Sequence, residues 1–347
     1  MASRTQFDLK CNRPEGCIAL RFADDDETDE AFNQRKQDRD QTNKDNALLN
    51  ARSRDVREEL SEGHWALMYL QHLANRINQT DRVRIDLSDL PPITSLSVSD
   101  PKLSYSISLP PPPRYEASIE QHIEVLEQRR KDAQIGKEAS WAALTSSALA
   151  LTSGMQGNPS DIDIAFRLFN DDSHARFFAD REDIRCSNWH KFDINQPPER
   201  KGAENHITSV EIPTNYISIS TSPRRIWNLA TKNLLKAKQR IAVIDLRVLS
   251  RLGIAYGSST DDLKLRHWNQ KYETGTKFAT KHHTLVLGWL PPVSILGFLS
   301  IEQFEALLKQ SQIDDSKKSE DISLSEYEKK ISFLSILQQL PRAGASS

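Results

Sequence analysis

The stretch at 214–250, TNYISISTSPRRIWNLATKNLLKAKQRIAVIDLRVLS, constrains the chain more than any other. Its first part alternates in type, with Ser218 and Ser220 on one face and Ile217 and Ile219 on the other. That is the period-two pattern of a strand. Pro223 then ends the strand and suits the first turn of a helix, with Ser222 as a normal cap before it. Ile226, Leu229, Ala230, Leu234 and Ala237 follow at helical spacing, and 241–246 is a compact apolar run that fits a buried strand. The unit reads as strand, helix, strand. It places small hydroxyls where the first strand ends, and the later segments read as completing its sheet.

The flanking segments fall into a series of elements. Residues 163–169 alternate, with Ile164, Phe166 and Leu168 facing one way and Ala165, Arg167 and Phe169 the other. Ser173 reads as the N-cap of a short helix through Ala179. Residues 193–209 are polar and Pro-rich, a long surface loop, and 251–281 are irregular. The run at 283–290, HTLVLGWL, is a strand ended by Pro291-Pro292, followed by an extended segment at 293–298 and a helix at 302–309.

Ahead of this region the character is helical. Residues 29–79 lack proline and gain an apolar face only in their second half, at Leu60, Trp65, Leu67, Met68, Tyr69, Leu70, Leu73 and Ile77. This predicts a long helix that docks by its C-terminal half. A second helical segment at 116–155 carries a sparse stripe (Ile119, Ile123, Leu126, Ala133) and a denser one (Trp141, Leu144, Leu149, Leu151). The two are expected to pair as a hairpin across a stiff Pro-rich linker at 80–115. The partition is then a disordered 1–28, helical 29–79, linker 80–115, helical 116–155, a sheet domain at 160–310, and a linker with a last helix at 311–347.

Composition limits the function classes. The hydrophobic fraction is 37% and the charged fraction 27%, with a net charge of −2. No basic excess is available for nucleic acid or an anionic membrane. Cys11, Cys17 and Cys186 match no zinc or redox spacing, which predicts a reducing compartment. No apolar signal region opens the chain, and 140–155 is too short and too polar for a bilayer span, so a soluble cytoplasmic protein is expected. There is no Gly-x-Ser-x-Gly or Cys/His nucleophile signature and no Gly-rich phosphate loop before a helix. His282 and His283 are adjacent on a strand and point opposite ways, with no third ligand near, so no metal site is expected.

Three features occur in order: FRLFND at 166–171, YISISTS at 216–222 and HTLVLGWLPP at 283–292. Together they resemble a fungal family of uncharacterised domains whose members look like ADP-ribosyltransferases, over roughly 162–298. The resemblance implies an α+β protein, with an N-terminal helical region and a C-terminal split mixed β-sheet domain of ADP-ribosyltransferase-like type. It implies NAD as cofactor, in a cleft between two small sheets. Arg167 would hold the phosphates or ribose through its fork of donors. Ser218, Ser220 and Thr221 would brace the nicotinamide-side ribose. The family's glutamate before the last strand is replaced by His283, which supplies no negative charge, so transfer is expected to be weak or absent. A protein acceptor or binding partner is implied. The alternative is a non-catalytic interaction module of the same fold. In it the cleft is vestigial and the helices bind a protein partner. On the plainest reading of the residues, Arg167 faces solvent or pairs with Asp171 or Asp172, and the hydroxyls are ordinary strand and cap residues.

Overall fold

The computed structural model describes residues 29–79, 118–155, 162–208, 212–232, 239–265, 279–311 and 330–339. The expected disordered segment 1–28, the linker at 80–115, Leu234 and Ala237 lie outside the described residues. The chain is α+β, with an N-terminal helical region and a C-terminal domain of antiparallel sheets. None of the described helices is long and apolar enough to cross a membrane.

Helix α1 spans Asp29–Gln79 and helix α2 spans Ile119–Thr152. Two compact units divide these helices: residues 1–64 with 91–138, and 65–90 with 139–347. In the first unit the helices are tied by ion pairs, Arg52 to Glu127 at 3.5 Å, Arg130 to Asp55 at 3.7 Å, and Lys137 to Glu59 at 2.6 Å and Glu62 at 3.6 Å. Partner numbers rise together, so the two helices run parallel rather than as the expected hairpin. A parallel pair cannot be closed by a tight turn, which accounts for the long interval between them.

In the second unit the helices contribute a core. Trp65, Tyr69, Leu70 and Leu73 of α1 and Trp141, Leu144 and Ala148 of α2 are buried. The stripe on α2 runs 141, 144, 148, 151. Leu149 falls off it and is 54% exposed, against its expected place in that stripe.

The larger sheet has six strands in the order β6-β7-β4-β1-β5-β9. They are β1 (Ile164–Phe169), β4 (Tyr216–Ser220), β5 (Arg240–Asp245), β6 (Tyr256–Ser258), β7 (His283–Leu287) and β9 (Ile295–Ser300). The smaller sheet is β2-β3-β8, from Arg176–Phe178, Asp183–Arg185 and Trp289–Leu290. Every described strand pair is antiparallel, so the sheets are not mixed as expected.

Alternation on β1 and β5 gives the large sheet two apolar faces. Ile164, Phe166, Ile241 and Val243 pack with α4 (Pro223–Lys232), α6 (Ile301–Gln310) and α7 (Lys330–Gln339). Ala165, Phe169, Ala242 and Ile244 join the core that holds the helical tryptophans. The α6 turn is fixed by a capping box, in which the Ser300 hydroxyl accepts from the Gln303 N–H and the Gln303 side chain accepts from the Ser300 N–H.

Gly288 joins the two sheets. It sits between β7 and β8 with φ +78°, a conformation that disfavours any side chain. A Cβ there would lie 2.5 Å from both Phe192 Cζ and the Tyr69 hydroxyl. The glycine in HTLVLGWL is thus an elbow that passes one strand from the first sheet to the second.

Three local expectations fail. Within 251–281, expected to be irregular, Tyr256–Ser258 forms β6 and pairs with β7. Ser173 does not cap a helix. Its hydroxyl accepts the Asn170 N–H in a tight turn, and the next residues become β2, which zips along β3 from Arg176 to Phe178. The expected loop at 193–209 contains helix α3 (Arg200–Thr208), which buries Ala203 and Ile207 one turn apart.

Candidate functional site

The site forms where the large sheet comes apart. Strand β1 pairs with β5 along six positions but meets β4 at one, Phe166 opposite Ser220. On β4 the odd-numbered residues bond towards β7. The flanking bonds, from Thr221 N to His282 O and from Gly288 N to Asn215 O, show this phase. The carbonyl of Ser218 therefore faces β1, where a ladder partner is missing. The Arg167 guanidinium fills the opening, its Nη1 donating to the Ser218 carbonyl at 2.6 Å and its Nη2 to the Ala175 carbonyl at 3.4 Å.

Arg167 is 6% exposed. Burial lowers its pKa to about 10, so it stays charged at neutral pH. Among the described residues no carboxylate pairs with it, and its buried Nε has no hydrogen-bond partner. The expected alternative pairing with Asp171 or Asp172 is not among its contacts in the described residues. The guanidinium is thus held on neutral carbonyls.

Of the three hydroxyl residues expected beside Arg167, Ser218 meets it through its backbone carbonyl, while its hydroxyl turns to two histidines. Its Oγ lies 2.9 Å from His206 Nε2 and 3.1 Å from His283 Nε2. Ser220 is spent locally, accepting from the Ser222 N–H at 3.2 Å. Ser222 caps α4 by accepting from the Arg225 N–H at 3.3 Å, as its position before Pro223 requires. Thr221 Oγ1 lies 3.0 Å from His282 Nδ1, so the two adjacent histidines do point apart.

His206 is the residue that sequence reasoning missed. It sits on α3, and its Nδ1 lies 2.5 Å from Thr214 Oγ1. The result is a chain Thr214–His206–Ser218–His283 in which a serine hydroxyl with one proton stands between two imidazoles. If Ser218 donates to His283, then His206 donates through Nε2 and accepts from Thr214. If it donates to His206, every bond reverses. The two tautomers are locked together. Burial, the Arg167 charge and His174 lower the His206 pKa to about 4, so it is neutral at physiological pH.

A recess of about 160 Å³ opens beside this chain, with Asn188, Phe192, Thr214 and Tyr216 on one side and Glu199, Gly202 and Asn205 on the other. Among the described residues no cluster of three or more metal-binding side chains forms. Cys186 is buried and its thiol is pushed up to about 12 by burial, which removes it as a nucleophile. Among the described residues, Arg167 is met by the Ser218 and Ala175 carbonyls, while the recess beside the His206 chain carries the carboxylates of Asp193 and Glu199 in its lining.

The fold and site define an α+β protein with an antiparallel-sheet domain built around a buried arginine. Residues 162–304, from just before β1 into α6, match the model of a family described as a domain of unknown function, DUF7587. That family is uncharacterised, and the match carries no link to ADP-ribosyltransferases or to fungi. No curated protein and no solved structure matches the chain.

Proposed function

We propose that the sheet domain is a degenerate relative of ADP-ribosyltransferases that binds NAD and transfers ADP-ribose weakly or not at all. The observation that carries this reading is Arg167, a buried cation facing Ser218 across a split in the sheet, with no carboxylate partner among the described residues. A pyrophosphate would supply the missing charge through charge-assisted hydrogen bonds. The position expected to hold the catalytic glutamate holds His283, whose Nε2 is engaged with the Ser218 hydroxyl. Neutral imidazole cannot offset positive charge on a departing nicotinamide ribose, and a loss of that kind costs about 10²–10³ in rate.

A second reading, a non-catalytic module that binds a protein partner, draws on the filling of the gap. Arg167 and His206 already occupy both oxygens of Ser218. Calorimetry with NAD separates the two. Binding to the wild type that is abolished by Arg167→Ala supports the cofactor reading. No heat at millimolar NAD leaves the module.

A further inference from the structure

Helix α3 is weakly anchored. It has nine residues, fewer than the roughly 12–15 an isolated helix needs. It fully buries only Ala203 and Ile207, and its Gly202 and Asn205 line the recess, with Gly202 close against the Tyr216 ring. Among the described residues two polar ties hold the rest. The Tyr216 hydroxyl donates to the Glu199 carbonyl at 2.9 Å, and His206 bridges Thr214 and Ser218. An element with little buried apolar surface opens at low free energy. The second of its ties lands on the same Ser218 that Arg167 holds.

We infer that α3 is a hinged cover over Arg167 and Ser218, bolted by His206, and that an anionic ligand reaching Arg167 must swing it aside. The cover rests on the reading of Arg167 as the ligand's anchor. The bolt engages when His206 is neutral. Around its ring stand Arg167 on β1, His174 in the turn after β1, Tyr216 on β4 and His283 on β7, while Arg200, Lys201 and Glu204 lie along α3 itself. A protonated His206 sets a second cation against Arg167, so acid releases the helix.

Hydrogen exchange on the full chain without ligand tests the bolt. His206→Ala should speed exchange across 200–208 by about tenfold or more while β5 keeps its rate. Lowering the pH from 7 to 5, with intrinsic rates corrected, should loosen α3 in the wild type and not in His206→Gln. An α3 rate that changes less than about twofold in His206→Ala, or that rises together with β5, overturns the inference. Calorimetry with NAD then separates cover from cofactor. About tenfold tighter binding to His206→Ala is expected, because less of the binding energy goes to opening. Equal affinity for both proteins overturns the cover. If α3 loosens and neither protein binds NAD, the cover stands and the NAD reading falls.

Discussion

Arg185 and Arg167 are both buried, and their surroundings are opposites. Arg185 donates from Nε to the Asp183 carboxylate at 2.9 Å, and the same oxygen accepts from the Trp289 indole at 2.7 Å. Its guanidinium lies 3.8 Å from the Phe178 ring centre, 4.7 Å from Trp141 and 5.2 Å from Trp189. Charge and faces are both answered by the protein, which is how a buried cation becomes structural. Arg167 has carbonyl dipoles and no counter-ion among the described residues. The protein thus gives one buried arginine a carboxylate and aromatic faces, and the other carbonyl dipoles.

The sharpest way to break this contrast is to strip Arg185 of its anion. Asp183→Ala should cost about 3–5 kcal/mol, because it leaves a buried charge unpaired. A lower urea midpoint with an unchanged slope is the signature. Burial pushes the Asp183 carboxyl up, against the pull of Arg185, so the pair has little reserve to absorb the loss.

Acid probes the Arg167 side. The His206 imidazole titrates near 4 when docked and near its ordinary 6.5 when released. The released state takes up a proton first, so docking is fully present above about pH 6.5 and weakens as the pH falls towards 4. Between pH 7.5 and 5.0 the wild type should lose on the order of 2 kcal/mol more than His206→Gln in urea titrations. An equal loss in both proteins would remove His206 from the account.

The smallest effect is expected at Arg167 itself. Arg167→Met removes a buried charge with no carboxylate partner among the described residues, a gain that offsets the cost of about 1–3 kcal/mol for orphaning the Ser218 and Ala175 carbonyls, so stability should shift by less than about 1 kcal/mol. A loss as large as that of Asp183→Ala would make Arg167 structural and erase the contrast.

The central unit was legible because its signals are local. Alternation through Ser218 and Ile219, Pro223 after Ser222, and the apolar run from Ile241 each name one element, and β4, α4 and β5 stand there. The same holds for the apolar half of α1, where Trp65, Tyr69, Leu70 and Leu73 fall within two and a half turns. What failed depends on distance. Nothing near His206 announces Ser218, and only the Ala203–Ile207 spacing hints at a helix within a polar stretch. Phe177 and Phe178 follow a helix-like cap, yet pairing with β3 decides their state. Ser220 and Thr221 share the hydroxyl row with Ser218, but a turn and a histidine claim them first. Arg185 drew no notice because its partners come from 141, 178, 183 and 189.

The aromatic side chains of α1 and α2 carry a practical lesson. Tyr69 packs 4.6 Å from Trp289 and Trp65 5.3 Å from Phe192, ring centre to ring centre. The stretch that a family model recognises at 162–304 is therefore smaller than the body that folds. A recombinant piece trimmed to the recognised boundaries would leave its tryptophans wet. Any fragment meant to stand alone has to reach back past Trp65.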